Sequence, residues 1–349
     1  IGFAAPVALA AITFGSYLAS VFPALSPTWL AAGLVVALTA VHASTRASSA
    51  GVQRWFTVLK IALIVFFCAS AFLLVDDPQP VRFLPTASDA DAIFSSAFAV
   101  SLIYVNYAYT GWNAATYLTS ELDDAQRTLP KVLGLGTGVV LVLYVALNFT
   151  FLNAAPQAEM AGQVEVGKIA ADHVYGERGG AIMGTVLALL LVSTVSAMTL
   201  AGPRVLAVIG EDFRAFRLLA RTNRTGLPFN AVLFQSTLAL AFILTASFES
   251  ILVFAGFTLG LNSFLAVLGI FVLRLRRPDL PRPYRTFGYP ATPLFYLGVT
   301  GWTLVYLLLQ RPEEAGLGLA IVGSGLVFYA VSRRLDPDGG RATPVLEET

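Results

Sequence analysis

A run of aromatic and small polar residues interrupts the apolar segment 93–118, with Gly111 inside it. Glycine adopts backbone conformations that end a helix, and it lets a ligand approach the main chain closely. Backbone groups freed by a helix break persist in a membrane only where they line a cavity or contact protein. We therefore predict a broken helix with a substrate-binding segment. Its residues are Tyr107, Ala108, Tyr109, Thr110, Gly111, Trp112 and Asn113.

The residue types of this segment could bind a small polar ligand. Thr110 and Asn113 offer side-chain donors and acceptors, and the aromatic residues offer walls and a gate. If a second half-helix begins near Asn113, its positive dipole end favours a carboxylate. A glycine at a helix crossing with ordinary aromatic packing is the alternative, and the segment alone is compatible with both.

Lys60 is a cation inside the apolar segment 51–75. It lies about 14 Å along a helix that starts at residue 51. Charged groups at such depth are costly and usually functional, although a long side chain can also extend to the interface. Lys60 is expected either to bind and release a proton or to act as a fixed positive charge. Four hydroxyl residues of segment 180–209 are candidates to face it or to bond to their own helix: Ser193, Thr194, Ser196 and Thr199.

Charged residues follow the interrupted segment. Glu121 and Arg127 are the candidates for a charge network that closes an inner gate, and a solvated turn at the membrane surface is the alternative. Pro130 is expected in the first turn of the next helix, where its missing N–H does no harm.

The elements that must position these residues are predicted to be transmembrane helices. Of the 349 residues, 56% are hydrophobic and 12% are charged, with a mean hydropathy of +0.74. Soluble domains carry about 25% charged residues, and a span needs about 20 mostly apolar ones. The sequence therefore predicts an all-α membrane protein with ten spans. Their approximate bounds are 2–22, 28–42, 51–75, 92–119, 132–154, 180–209, 229–247, 249–273, 291–309 and 315–332.

Charge and cysteine content exclude several classes of function. The net charge of +1 does not favour nucleic acid as a partner. One cysteine, Cys68, and two distant histidines provide no metal or cofactor site, and no motif of a catalytic nucleophile is present, so an enzyme is not expected. With the N-terminus inside, 18 Lys and Arg residues fall in inner segments and 4 in outer ones. This distribution predicts a multi-pass protein of the plasma (inner) membrane with both termini cytoplasmic.

Four segments together resemble the amino acid–polyamine–organocation permease superfamily, in particular its L-type and bacterial amino acid permeases. They are the 107–113 run with Glu121 and Arg127-Thr-Leu-Pro130, then Thr57-Val-Leu-Lys60, Ala201-Gly-Pro-Arg204, and the arginine- and proline-rich 273–290 linker. Ala125 departs from the pattern, because proline is common there in the superfamily.

The resemblance implies a leucine-transporter-type fold, with two inverted five-helix repeats and two further helices. It implies that Tyr107 gates the substrate, that Asn113 follows the unwound turn, and that Lys60 occupies a sodium-equivalent site opposite Ser196. Residue 1 corresponds to a position inside the third of twelve family helices, so the first two, and about half of the substrate site, are expected to be missing from this sequence. A single permease domain is expected at 1–335, with a cytoplasmic tail at 336–349.

The resulting expectation is a secondary active amino acid transporter working by alternating access around the broken helix. Neutral amino acids are favoured because segment 93–118 contains no acidic residue. The expected partners are a small-molecule amino acid and the lipid bilayer, and protons take part if transport is proton-coupled rather than an exchange. A polyamine or organic-cation carrier of the same fold and a non-transporting membrane sensor or subunit are the alternatives.

Overall fold

The computed structural model describes residues 2–44, 50–82, 84, 86–112, 115–116, 124–213, 216–223, 227–282 and 284–335. Helices and turns account for all regular structure within these ranges. Twelve helices are described: α1 (Ala4–Val21), α2 (Pro27–Ser44), α3 (Ala50–Leu74), α4 (Ala87–Ile93), α5 (Ser96–Ala108), α6 (Ala125–Ala154), α7 (Gln157–Met160), α8 (Val166–Asp212), α9 (Phe229–Thr245), α10 (Phe248–Arg276), α11 (Ala291–Gln310) and α12 (Pro312–Leu335).

The prediction of an all-α membrane protein is confirmed. Seven helices are long and apolar enough to cross a bilayer, and three shorter apolar helices accompany them. Each of the ten predicted segments contains one of these helices. The protein is therefore a multi-pass membrane protein. Three of the predicted segments differ clearly from the structure at an end, and one of them is 180–209, which is only the later part of α8 because that helix begins at Val166.

The fourth predicted segment, 92–119, is not one helix, because α5 stops at Ala108. The fifth begins earlier than predicted, at Ala125, so Pro130 lies inside α6 rather than in its first turn. The carbonyl oxygen of Asp124 accepts hydrogen bonds from the backbone N–H groups of Arg127 and Thr128, which starts the helix ahead of the proline. The first turn of α6 therefore forms at Asp124, several residues before the proline.

One compact unit comprises residues 1–81, 149–251 and 321–349, as far as they are described. Within it, α1 packs on α2, α8 and α9, and α2 also packs on α8 and α9. Buried alanines such as Ala4, Ala5 and Ala8 line α1 and permit close helix approach. At Gly15 the backbone of α1 closely approaches the start of α2, because a Cβ atom built there would lie 2.1 Å from the carbonyl oxygen of Pro27.

The long helix α8 of this unit is bent at Gly176, whose φ of 74° and ψ of 172° are not helical. The segment before the bend is tied to its neighbours at two points. The N–H of Gly167 donates to the hydroxyl of Tyr17 on α1 at 3.0 Å, and the hydroxyls of Tyr175 and Ser70 on α3 are hydrogen-bonded. Within the same segment, Lys168 and Asp172 form an ion pair at 2.7 Å.

The second compact unit comprises residues 82–148 and 252–320. Here α5 packs on α11. The core of this unit contains buried side chains from four helices, namely Ile103, Val253, Phe257, Leu304, Leu307 and Ala315. The core therefore fixes α5, the helix that leads into the predicted break. The single-domain organisation of 1–335 stays a prediction, and the tail 336–349 lies outside the described residues.

The contact at Gly15 yields a stability prediction. Gly15→Ala should destabilise the native protein by roughly 1–3 kcal/mol, because the new methyl group meets backbone atoms that cannot move aside. Gly33→Ala on α2 is the matched control, since open space surrounds that position and alanine favours helix over glycine by up to about 1 kcal/mol. Thermal unfolding in detergent measures both variants, and equal melting temperatures would contradict the close packing of α1 on Pro27.

Candidate functional site

The predicted helix break is present immediately after Ala108. The N–H of Tyr109 still bonds to the carbonyl oxygen of Asn106 at 3.1 Å, in a tightened last turn. The carbonyl oxygen of Tyr107 then accepts two hydrogen bonds from Thr110, one from its N–H at 3.0 Å and one from its hydroxyl at 2.7 Å. At Gly111 the chain takes φ +99°, a conformation that side-chain-bearing residues rarely adopt. The glycine is therefore required for the turn that ends α5.

Tyr144 on α6 stabilises the broken end, and the sequence analysis did not identify it. Its hydroxyl donates to the carbonyl oxygen of Ala108 at 3.1 Å. Its ring meets that of Tyr109 edge-on, with centroids 5.2 Å apart. A tyrosine in the middle of a mostly apolar span was the available signal, because a buried phenolic hydroxyl generally needs a hydrogen-bond partner.

A cavity of about 410 Å³ opens at the break. This volume lies within the roughly 300–1,000 Å³ of small-molecule sites. Its lining includes the hydroxyl-bearing residues Tyr109, Thr110, Thr137 and Tyr144, and none of the lining residues that the structure describes is charged. The described residues that line it are Ala108, Tyr109, Thr110, Gly111, Trp112, Ala115, Val132, Leu133, Gly136, Thr137, Val140 and Tyr144.

Five of the seven predicted substrate-binding residues, Ala108 to Trp112, line this cavity. Tyr107 precedes it on α5, and Asn113 lies outside the described residues. A larger groove of about 710 Å³ runs along α6 from Ala125 to Leu141 but does not include the break. We regard the smaller cavity as the candidate site because it lies at the helix break and several hydroxyl-bearing residues line it.

Lys60 has a hydroxyl partner, but not the one predicted. Its Nζ donates to Oγ1 of Thr194 on α8 at 2.7 Å. Ser196 instead lies 2.8 Å from Nε2 of His42 on α2. Positions 194 and 196 are about 200° apart around a helix, so they face opposite sides of α8. The assignment of Ser196 to Lys60 is therefore corrected to Thr194. The sequence position of His42 suggests no contact with Ser196, because a lone histidine is recognisable in a sequence mainly as a possible metal ligand.

The predicted gate network of Glu121 and Arg127 stays a prediction, since only one of the two residues belongs to the described part of the chain. Glu121 lies outside it. Arg127 is in the first turn of α6, where its Nε is 3.7 Å from a carboxylate oxygen of Asp124. Because 84% of the arginine side chain is exposed, this ion pair contributes little to the stability of the folded protein. Over the same described ranges, no group of three potential His, Cys, Asp or Glu metal ligands occurs.

Several known proteins are similar to this chain in sequence. The family described as "Amino acid permease" matches residues 1–327. The chain is 23% identical to the b(0,+)-type amino acid transporter 1 of Mus musculus over 332 residues, which cover 92% of this chain and 67% of that protein. It is 27% identical to the Large neutral amino acids transporter small subunit 2 of Homo sapiens over 350 residues, which cover 92% of this chain and 61% of that protein.

The chain thus spans about 60% to two thirds of the length of the curated relatives that it matches. Both relatives are named as transporters rather than enzymes. The family match extends over nearly the whole chain and includes both the broken helix and the Lys60 segment. The chain therefore belongs to the amino acid permease family.

Proposed function

We propose that the native protein is a secondary active amino acid transporter whose substrate binds at the break after Ala108. The observation that carries this proposal is the cavity beside a broken helix, whose described lining includes four hydroxyl-bearing residues and no charged one. Backbone groups at a helix break can hold the charged ends of a substrate, as in other secondary transporters. Tyr107 is the proposed gate, and Asn113 is the proposed polar contact beyond the turn.

Neutral amino acids are the proposed substrate class. A second charge on the substrate would need an opposite charge in the site, and the described lining of the cavity contains none. The relative named as a large neutral amino acids transporter subunit is consistent with this preference. A polyamine or organic-cation carrier would require acidic lining residues, which makes it the weaker alternative.

Lys60 and Thr194 form the proposed coupling site. A lysine ammonium within a membrane helix needs a polar partner, and the Thr194 hydroxyl supplies one at 2.7 Å. Two mechanisms fit this pair. In the first, Lys60 binds and releases a proton in each transport cycle, and in the second it is a fixed charge during exchange of one amino acid for another.

The proposed location is the plasma (inner) membrane, with both termini cytoplasmic. The support is the concentration of 18 of the 22 Lys and Arg residues in alternate, inner segments.

Uptake of a panel of radiolabelled amino acids into liposomes containing the intact native protein tests the proposed function. We expect neutral amino acids to be taken up and to compete with one another, whereas polyamines and arginine should compete weakly or not at all. Saturable polyamine uptake without amino acid uptake would contradict the proposal.

Gly111→Ala should lower the maximal uptake rate about tenfold. A side chain at φ +99° is strained by roughly 1–3 kcal/mol, and 1.4 kcal/mol corresponds to a factor of ten. Gly298→Ala is the control, because it lies in the regular helix α11 with open space around it. Wild-type kinetics in Gly111→Ala, at equal protein amounts, would show that the turn is not part of the transport site.

Lys60→Gln should reduce uptake by about tenfold or more, the effect expected when a hydrogen-bonded charge is removed. Thr194→Ser should retain uptake and Thr194→Val should not, because serine preserves the hydroxyl. Lys131→Gln is the control, since Lys131 is an exposed lysine on α6.

Collapse of the proton gradient separates the two mechanisms. If Lys60 carries the proton, a protonophore should abolish wild-type concentrative uptake. Uptake that requires only internal amino acid, at any proton gradient, would contradict proton coupling and leave Lys60 as a fixed charge.

A further inference from the structure

His42 is a buried polar residue for which the proposed transport cycle has no role. It lies in the last turn of α2 with only 4% of its surface exposed. Its Nε2 is 2.8 Å from the hydroxyl oxygen of Ser196 on α8. A neutral imidazole can donate or accept this bond, depending on its tautomer. The contact joins α2 to the same helix that carries the partner of Lys60.

Two further hydrogen bonds complete a triangle among α2, α8 and α9. The hydroxyls of Thr39 on α2 and Ser236 on α9 are 2.6 Å apart. The amide nitrogen of Gln235 on α9 donates to the carbonyl oxygen of Met198 on α8 at 3.1 Å. Gln235 and Ser236 are only 2% and 4% exposed, so these bonds are shielded from competing solvent. Each pair of the three helices is therefore joined by at least one hydrogen bond.

This triangle fixes the rotation of α8 about its own axis. Thr194 and Ser196 face opposite sides of the helix, about 200° apart. A rotation that removes Ser196 from His42 must also carry Thr194 away from Lys60, since both side chains are rigidly attached to one helix. A buried polar group without a hydrogen-bond partner destabilises the folded protein. The His42–Ser196 and Lys60–Thr194 contacts therefore favour the same rotation of α8.

We propose that His42 is a positioning residue for the Lys60 site. As a neutral hydrogen-bonding group it holds α8, through Ser196, in the rotation that places the Thr194 hydroxyl on the Lys60 ammonium. This inference rests on the proposed function of Lys60 in transport. Its chemical requirement is a side chain that can hydrogen-bond to Ser196, and not a proton-carrying group.

The test compares His42→Asn with His42→Leu in the intact native protein in lipid nanodiscs and liposomes. Asparagine retains a neutral donor and acceptor, whereas leucine has neither. We expect His42→Leu to lower the maximal uptake rate about tenfold with little change in KM, the scale of losing a buried hydrogen-bond partner. His42→Asn should restore most of that rate. Ser196→Ala removes the same bond from the α8 side and should reproduce the leucine phenotype if His42→Leu fails to fold.

A second measurement does not depend on transport. In ¹⁵N-lysine-labelled protein, the Lys60 ammonium signal is identified as the one missing from Lys60→Gln. It should shift in His42→Leu and in Ser196→Ala and return to its wild-type position in His42→Asn. Thr185→Val on α8 is the control, because the Thr185 hydroxyl bonds to Ala181 of its own helix.

The two readouts separate this inference from the proposed function. If the wild type transports no amino acid but the ammonium signal responds as expected, the proposed function fails and the positioning role stands. The inference is overturned if the Lys60 ammonium signal keeps its wild-type position in His42→Leu and Ser196→Ala. It is also overturned if His42→Asn gives the same uptake rate and the same signal position as His42→Leu.

Discussion

The hydrocarbon interior of a membrane supplies no hydrogen-bond partner, so every exposed backbone or polar group there must be satisfied by the protein itself. This constraint explains why α5 can end at Ala108. Thr110 supplies a hydroxyl and an N–H for the carbonyl of Tyr107, and Tyr144 reaches across from α6 to the carbonyl of Ala108. The candidate site exists because these side chains replace the missing turn of helix.

The same constraint governs the polar residues of α8. Lys60 is tolerated within an apolar helix because Thr194 accepts its hydrogen bond, and His42 is tolerated because Ser196 lies within reach. One helix thus meets a cation on one side and an imidazole on the other. Serine and threonine in such a helix act as partners for residues on neighbouring helices, and not only for their own backbone.

The sequence predicted those features that depend on local composition. Ten apolar segments each contain a helix, and Gly111 ends α5 through a backbone conformation suited to glycine. It did not predict features that depend on helix rotation or on a distant partner. Ser196 and Thr194 differ by two positions in the sequence but face opposite sides of α8, and a motif comparison without gaps cannot resolve that difference. Tyr144 lies 36 residues from Ala108 and could be placed only once both helices were packed.

The bend of α8 at Gly176 has a mechanical consequence. Before the bend, the helix is anchored to α1 and α3 through Tyr17 and Ser70, and after it the helix carries the hydroxyls that meet Lys60 and His42. A regular helix is stiff to twisting because each turn is bonded to the next. Gly176, with its non-helical φ and ψ, interrupts that ladder. Between those anchors and the two hydroxyls, Gly176 is therefore the point where α8 twists most easily, so a movement of the segment before the bend need not change the rotation that the contacts of Thr194 and Ser196 fix.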